Sequence, residues 1–185
     1  KPDLITVAKG LTSAYAPLSA VLIGKRVASV LSEHSDDVGV FSHGYTYSGH
    51  PICVAAANAN LDVLERDGIV DHVAALGTTL RDKLAEAVAD IPIIAEVRGV
   101  GMLAAIEFVA DPAQKLRFDA KHKVGARMSA ACLKNGLIAR AMPHGDILGF
   151  APPLITTGEE IAEIAEIVGR SVREVYDQLV AEGVV

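Results

Sequence analysis

The chain reads as an α/β fold, and three observations carry that reading. A short run that is apolar on both faces, Leu4–Val7, opens the sequence, as do strands buried in a covered sheet. Strand-like and helical periods then alternate along the chain. The last stretch is a long helical stripe that begins at a capping-box signature, Thr157 with Glu160 three residues later.

The elements follow in order. After Leu4–Val7 comes the turn-rich KGLTSAYAPLS, then a second apolar run from Ala20 to Ile23, so two strands flank a loop. Lys25 to His34 places Val27, Val30 and Leu31 on one helical face. The segment from Ser35 to Pro51 has neither helical nor alternating period. Stretches of that kind inside compact domains are usually functional, and a binding loop is expected here. Pro51 opens an Ala-rich helix that Asp67-Gly68 ends after Arg66, and its small residues at 55–57 permit close packing. A second helix is predicted from Ile69 to about Ala89. The period then changes to strands, Ile93–Val97 and Met102–Val109, joined through Gly99 and Gly101 as a hairpin. Helix returns between about Asp119 and Lys134, closed by Asn135-Gly136. Leu137–Ala139 and Ile147–Phe150 are predicted as short strands on either side of MPHGD. Ile161, Ile164, Val168, Val172, Val175 and Leu179 then recur at helical spacing, which makes one face of the last helix core. The composition shifts near residue 68, so two domains are expected, 1–67 and 68–185.

Charge and composition narrow the function. The formal net charge of -6 and the lack of a Lys/Arg block argue against nucleic acid or an anionic membrane surface as a main partner, leaving small molecules. Cys53 and Cys132 sit far apart in apolar helical stretches, with no CxxC and no histidine at metal-ligand spacing. They are expected to be buried free thiols, and no metal site is expected. No apolar run approaches the ~18 residues of a membrane span, and no basic-then-apolar leader opens the chain, so the cytoplasm is the expected address. The chain begins at Lys1 without a Met and enters a strand almost at once. A strand apolar on both faces wants neighbours on both sides, which leads us to expect a fragment of a longer protein.

Lys9 is the residue with chemistry to offer. It follows a buried strand in a glycine-bearing loop, where an amine can be partly desolvated and held in place. Attack on an aldehyde needs the neutral amine, which burial or a nearby cation favours. Most lysines after strands are nevertheless solvated, and the wider sequence decides. KPDLITVAKGLTSAYAPLSAVLIG resembles the cofactor-lysine segment of class III aminotransferases: a Pro-Asp pair, an apolar strand, the lysine, a small-residue turn and a Pro-Leu, in that order. FSHGYTYSGHPICVAAANANLDVLERDGIV, VRGVGMLAAIEF and LIARAMPHGDILGFAPPLITTGEEI resemble three further segments of the same family. The resemblance covers essentially the whole chain, and TYSGHP and RAMPHGDI look closest to the omega-transaminases that use pyruvate.

That resemblance implies a fold-type I pyridoxal-phosphate-dependent transferase, with residues 1–67 as the C-terminal part of the large domain and 68–185 as the small α+β domain. It implies that Lys9 carries pyridoxal 5'-phosphate and shuttles the proton. Thr46 would bind the cofactor phosphate of the neighbouring subunit, which makes the expected assembly a homodimer with a shared active site. Tyr45 would line the substrate pocket across that interface. Arg140 would hold the substrate carboxylate bidentately and swing away when an amine enters, although Pro143 and His144 lengthen its loop relative to some relatives. The expected reaction moves an amino group from an amine or omega-amino acid to pyruvate or a related 2-oxo acid. Decarboxylases, racemases and aminomutases of the same fold, and a non-catalytic scaffold module, are the alternatives. The family's pyridinium-pairing aspartate, phosphate-binding Gly-Ser loop and ring-stacking aromatic have no counterpart in this chain. They are expected upstream of it, Asp3 being part of the Pro-Asp pair instead, and the 185 residues alone are expected to be inactive. His43 and His50 are read as structural, Arg98 as an ion-pair residue, and Arg117 and Arg127 as solvated.

Overall fold

The two apolar runs at the start of the chain pair with each other. β1 (Leu4–Val7) and β2 (Ala20–Ile23) form an antiparallel ribbon from Leu4↔Ile23 to Val7↔Ala20. The structure is a computed structural model that describes the backbone of residues 1–185 and every side chain except that of Val38. It divides into two units, Lys1–Gly68 and Ile69–Val185. Within these 185 residues Leu4–Val7 pairs with Ala20–Ile23 alone, and the further neighbours expected for a strand apolar on both faces are not among them. A parallel partner needs a crossover, usually a helix, whereas residues 8–19 carry only a 3-10 turn at Lys9–Leu11. Both faces of the ribbon are open, Leu4 being 54% and Val21 56% exposed.

In the same unit, α1 (Lys25–Glu33) follows a Gly24 start, and α2 (Ser35–Val38) is a single turn inside the segment read as irregular, stopped by Gly39 at φ 84°. α3 (Pro51–Arg66) opens on the Pro at its first turn and stops before Gly68, which adopts φ 61°. The fixed proline φ suits the start of a helix, and left-handed glycine suits its end.

The second unit is a two-layer α+β arrangement. Its elements run α4 (Ile69–Ala87), β3 (Ile94–Val100), β4 (Leu103–Phe108), α5 (Val124–Lys134), β5 (Arg140–Ala141), β6 (Ile147–Phe150) and α6 (Gly158–Ala181). The sheet order is β3-β4-β6-β5 with every neighbouring pair antiparallel. Alternation divides its faces: Ala104, Ile106 and Phe108 of β4 and Leu148 and Phe150 of β6 are buried. They cluster with Leu80 and Leu84 of α4, Met128 and Cys132 of α5, and Ile161, Val168 and Val172 of α6. Each such aliphatic or aromatic side chain contributes roughly 1.5–3 kcal/mol on burial, so this face is what holds the unit together.

Two boundaries differ from the sequence reading. Leu137–Ala139 is not a strand, and pairing starts at Arg140. The backbone there is already committed to the end of α5: Leu137 N donates to Cys132 O at 2.8 Å and Ala139 O accepts from Ser129 Oγ at 2.6 Å. With Gly136 at φ 96° this is a left-handed helix termination. The helix expected from Asp119 starts at Val124, because Lys123 at φ 49° separates it from a 3-10 turn over Ala120–His122. The capping box of α6 is present in both directions, Thr157 N donating to Glu160 Oε2 at 2.7 Å and Glu160 N to Thr157 Oγ1 at 3.2 Å.

Arg127 is not the freely solvated residue expected. It donates twice to Glu182 at 2.7 Å and once to Gln178 at 2.9 Å, tying α5 to the end of α6. Cys132 is buried and Cys53 half-buried, and both are free. Among the described residues no helix is long and apolar enough to cross a membrane, and no His/Cys/Asp/Glu cluster could hold a metal ion.

Candidate active site

In the first unit, β1 delivers the chain directly into the turn that carries Lys9. Lys9 itself adopts φ 49°, and Ser13 and Ala14 follow at 48° and 63°. Left-handed backbone costs a non-glycine residue roughly 1–2 kcal/mol, and runs of such residues persist only where surrounding bonds over-determine them, often at functional sites. Those bonds are present. Thr12, 2% exposed, donates its hydroxyl to Ala16 O at 2.6 Å. Asn60 of α3 donates its side-chain amide to Gly10 O at 2.9 Å and to Leu11 O at 3.3 Å, while its Oδ1 accepts from Ser13 Oγ at 2.7 Å. The Lys9 side chain is exposed and makes no hydrogen bond or ion pair among the described residues. A strained, tied turn thus presents an uncommitted primary amine.

Asp3 takes no part in this. Arg26 grips its carboxylate through two nitrogens, and that contact holds the carboxyl below its usual range. It is a structural ion pair at the foot of the ribbon, in keeping with its reading as half of the Pro-Asp pair.

A cleft of about 410 Å³ runs beside the ribbon, lined by Thr6–Ala8, Ser19, His43, Tyr45 and Ser48. The loop that forms its far wall is a turn closed by Ser48 N donating to Tyr45 O, with Tyr45 N donating to Ser48 Oγ, both at 2.9 Å. Phe41 stacks on His43, and His43 meets the Tyr45 ring edge-on. Thr46 sits at the tip of this turn, exposed, its hydroxyl without a partner among the described residues. Tyr45 is 79% exposed. Lys9, Tyr45 and Thr46 therefore share one unit, and the residues present suit a cofactor with an aldehyde and a phosphate: an uncommitted amine, and an open turn whose hydroxyl and amide have no partner among the described residues.

Arg140 lies in the second unit. Across the sheet Arg98 pairs with Ala105, Ala105 with Gly149 and Gly149 with Arg140, so one row projects to the face opposite the core. Two edge arginines thus flank a floor of small residues, separated by about three strand spacings of ~4.8 Å. The cleft above it has a volume of about 920 Å³ and is walled by Val100, Leu103, Met142 and Pro143. Arg98 is spent on Glu96 and Glu107, each at 2.5 Å. Arg140 is exposed and unpaired among the described residues, which leaves it as the cation on this face able to take an anion.

Asn60 escaped the sequence reading. A weak signal was present, since asparagine in the interior of an Ala-rich helix goes against propensity, but Asn58 shares it and its exposed side chain makes no hydrogen bond among the described residues. Ser13 and Ser48 carried no such signal, being ordinary turn residues.

A family model described as "Aminotransferase class-III" matches residues 1–172. An uncharacterized aminotransferase of Sinorhizobium fredii, y4uB, is 58% identical over 183 residues, which are 99% of this chain and 39% of that protein. The diaminobutyrate–2-oxoglutarate transaminase of Halomonas elongata is 54% identical over 100% of this chain and 39% of its own. A solved transaminase structure from directed evolution by ancestral reconstruction superposes with a TM-score of 0.94 at 57% identity, over 97% of this chain and 39% of that one. The chain thus spans 39% of the length of each.

Proposed function

The chain belongs to the class III aminotransferases, and from that premise we propose that, in a protein of its relatives' full length, it supplies the cofactor lysine and the carboxylate-binding arginine of a pyridoxal-phosphate-dependent transaminase. The observation that carries the proposal is the uncommitted Lys9 amine on its tied, left-handed turn. When bound, pyridoxal 5'-phosphate supplies an electron-withdrawing ring that stabilises negative charge on the substrate carbon. Lys9 anchors that group and, once freed by an incoming amine, takes and returns a proton at Nζ. Thr46 offers a hydroxyl and a turn amide to a phosphate, in our reading that of a neighbouring subunit in a homodimer. Tyr45 packs its ring on the apolar part of the substrate. Arg140 receives the carboxylate of the 2-oxo acid through parallel donors.

In this reading the donor is an amine or omega-amino acid and the acceptor pyruvate or a related 2-oxo acid. The name of the Halomonas relative couples diaminobutyrate with 2-oxoglutarate, so both oxo acids belong in the test. The 185 residues by themselves, which span 39% of the length of these relatives, are proposed to be inactive, the pyridinium-pairing aspartate and the Gly-Ser phosphate loop belonging in our reading to the rest of such a protein.

The test is an absorbance scan of the cofactor-loaded full-length protein, before and after an amine and then after each oxo acid. Bleaching by the amine and recovery with pyruvate or 2-oxoglutarate supports transamination. Carbon dioxide release without any need for an oxo acid would replace it with decarboxylation, and no visible band at all would leave a scaffold.

A further inference from the structure

Asn60 is the side chain that ties the Lys9 turn to α3, and its bonds fall on the residues that follow the lysine. Gly10 O and Leu11 O can only accept, so they must face the Nδ2 hydrogens. The Ser13 hydroxyl then fills Oδ1. Both amide hydrogens and one oxygen lone pair are used on a single turn. The residues around it in α3 include Ala56, Ala57 and Ala59, where a further alanine would have favoured the helix. Asn60 gives up helix propensity and gains the turn, whereas Asn58, at the same cost, makes no side-chain hydrogen bond among the described residues.

We propose that Asn60 is a positioning residue for Lys9. The inference rests on Lys9 being the cofactor lysine. Lysine reaches its target through a flexible four-carbon stem, so the reach of Nζ is set by where the backbone aims Cβ. At φ 49° that aim is one the free backbone disfavours. The two carbonyls that Asn60 holds belong to the residues immediately after Lys9, and Ser13, itself left-handed at φ 48°, is held by the same amide. Releasing them lets residues 9–14 relax toward ordinary helical or extended angles, which swings the lysine away from its present direction. The buried Thr12–Ala16 bond closes the far side of the turn, and backbone bonds from Leu11 N to Ala8 O at 3.1 Å and from Ser13 N to Gly10 O at 3.4 Å run within it; none of these ties the turn to α3 as Asn60 does.

The experiment uses the full-length holoenzyme and three variants: Asn60→Ala, Ser13→Ala and Lys9→Ala. Three readouts are taken: the rate at which the cofactor-free protein recaptures pyridoxal phosphate into a visible band, the pH midpoint of that band, and kcat separately from KM for the amine. Displacements near 1 Å cost catalysis about 100-fold. Asn60→Ala is therefore expected to lower kcat and the recapture rate by about 10- to 100-fold, with KM within about twofold, and to move the pH midpoint. Ser13→Ala, which removes one of the three bonds from an exposed position, is expected to move all three readouts the same way by a smaller factor. Should Asn60→Ala fail to accumulate as folded protein, Ser13→Ala decides on those readouts. Wild-type recapture, midpoint and kcat in Asn60→Ala, beside a bandless Lys9→Ala, would overturn this inference alone. A band that survives Lys9→Ala would overturn the cofactor assignment and this inference with it.

Discussion

Gly77→Ala sets two physical effects of opposite sign against each other. Gly77 lies in the middle of α4, and by helix propensity alone an alanine there stabilises by about 0.8–1.0 kcal/mol. Packing says otherwise. A Cβ at Gly77 would stand 2.5 Å from Gly101 O and 2.6 Å from Gly101 C and Cα, in the turn between β3 and β4. The obstacle is backbone, and Gly101 holds φ 54° with the Val73 side chain close by, so the turn must retreat by close to an ångström. Overpacking of this kind costs about 1–3 kcal/mol and occasionally more. The upper part of that range applies where backbone must move, which leaves a net destabilisation of about 1–2 kcal/mol. Urea unfolding of the purified protein reads it as a lower midpoint at unchanged slope. Gly158→Ala is the control: its Cβ meets nothing within 4 Å, and it should be neutral or slightly stabilising. A rise in the Gly77→Ala midpoint would refute the close helix-to-hairpin approach. Because Val100 and Leu103 flank that turn and wall the Arg140 cleft, a retreat of the turn should also weaken oxo-acid binding.

Arg140→Ala should raise KM for pyruvate or 2-oxoglutarate by about 10- to 100-fold, the loss of a charge-assisted contact worth about 1.5–3 kcal/mol. KM for a carboxylate-free amine should stay within about twofold; equal effects on both substrates would remove Arg140 from carboxylate binding. Acidification should weaken the second unit. Glu160, held by the Thr157 amide and hydroxyl, Glu174, held by Lys134, and Glu182, held by Arg127, all titrate below the ordinary glutamate value of 4.5. The folded state then binds fewer protons than the unfolded one between the two values. Stability is therefore present above pH 4.5 and is lost as pH falls through the depressed folded values. Urea midpoints followed from about pH 6 down to about pH 3 should decline below that point, and more weakly in high salt since these groups are exposed; a flat profile contradicts the assignment.

Much of this architecture was legible because local signals and tertiary packing agree. Pro51 and Gly68 bound α3, the Thr157–Glu160 pair starts α6, and the stripe from Ile161 to Leu179 is the face buried in the core. What escaped the sequence depended on competition for backbone groups. Leu137–Ala139 has strand composition, yet the end of α5 claims the Leu137 amide and the Ala139 carbonyl first. The direction in which Leu4–Val7 pairs with Ala20–Ile23 was not legible, because side-chain pattern is silent about direction, whereas the short return through residues 8–19 dictates an antiparallel ribbon. In the candidate site, Lys9 and Arg140 were singled out by their chemistry and sequence context. Asn60 was not, because a long-range tie between a helix and a turn leaves only a faint local trace, and Arg127 was misread because its partners lie on a helix far along the chain.

Chemical trapping decides whether Lys9 carries the cofactor. The full-length protein is loaded with pyridoxal phosphate, reduced with borohydride, digested and mapped by mass spectrometry. A cofactor-derived mass is expected on the peptide that contains Lys9, and none in Lys9→Ala. A trapped mass on any other lysine, or none on the wild-type protein, would contradict it.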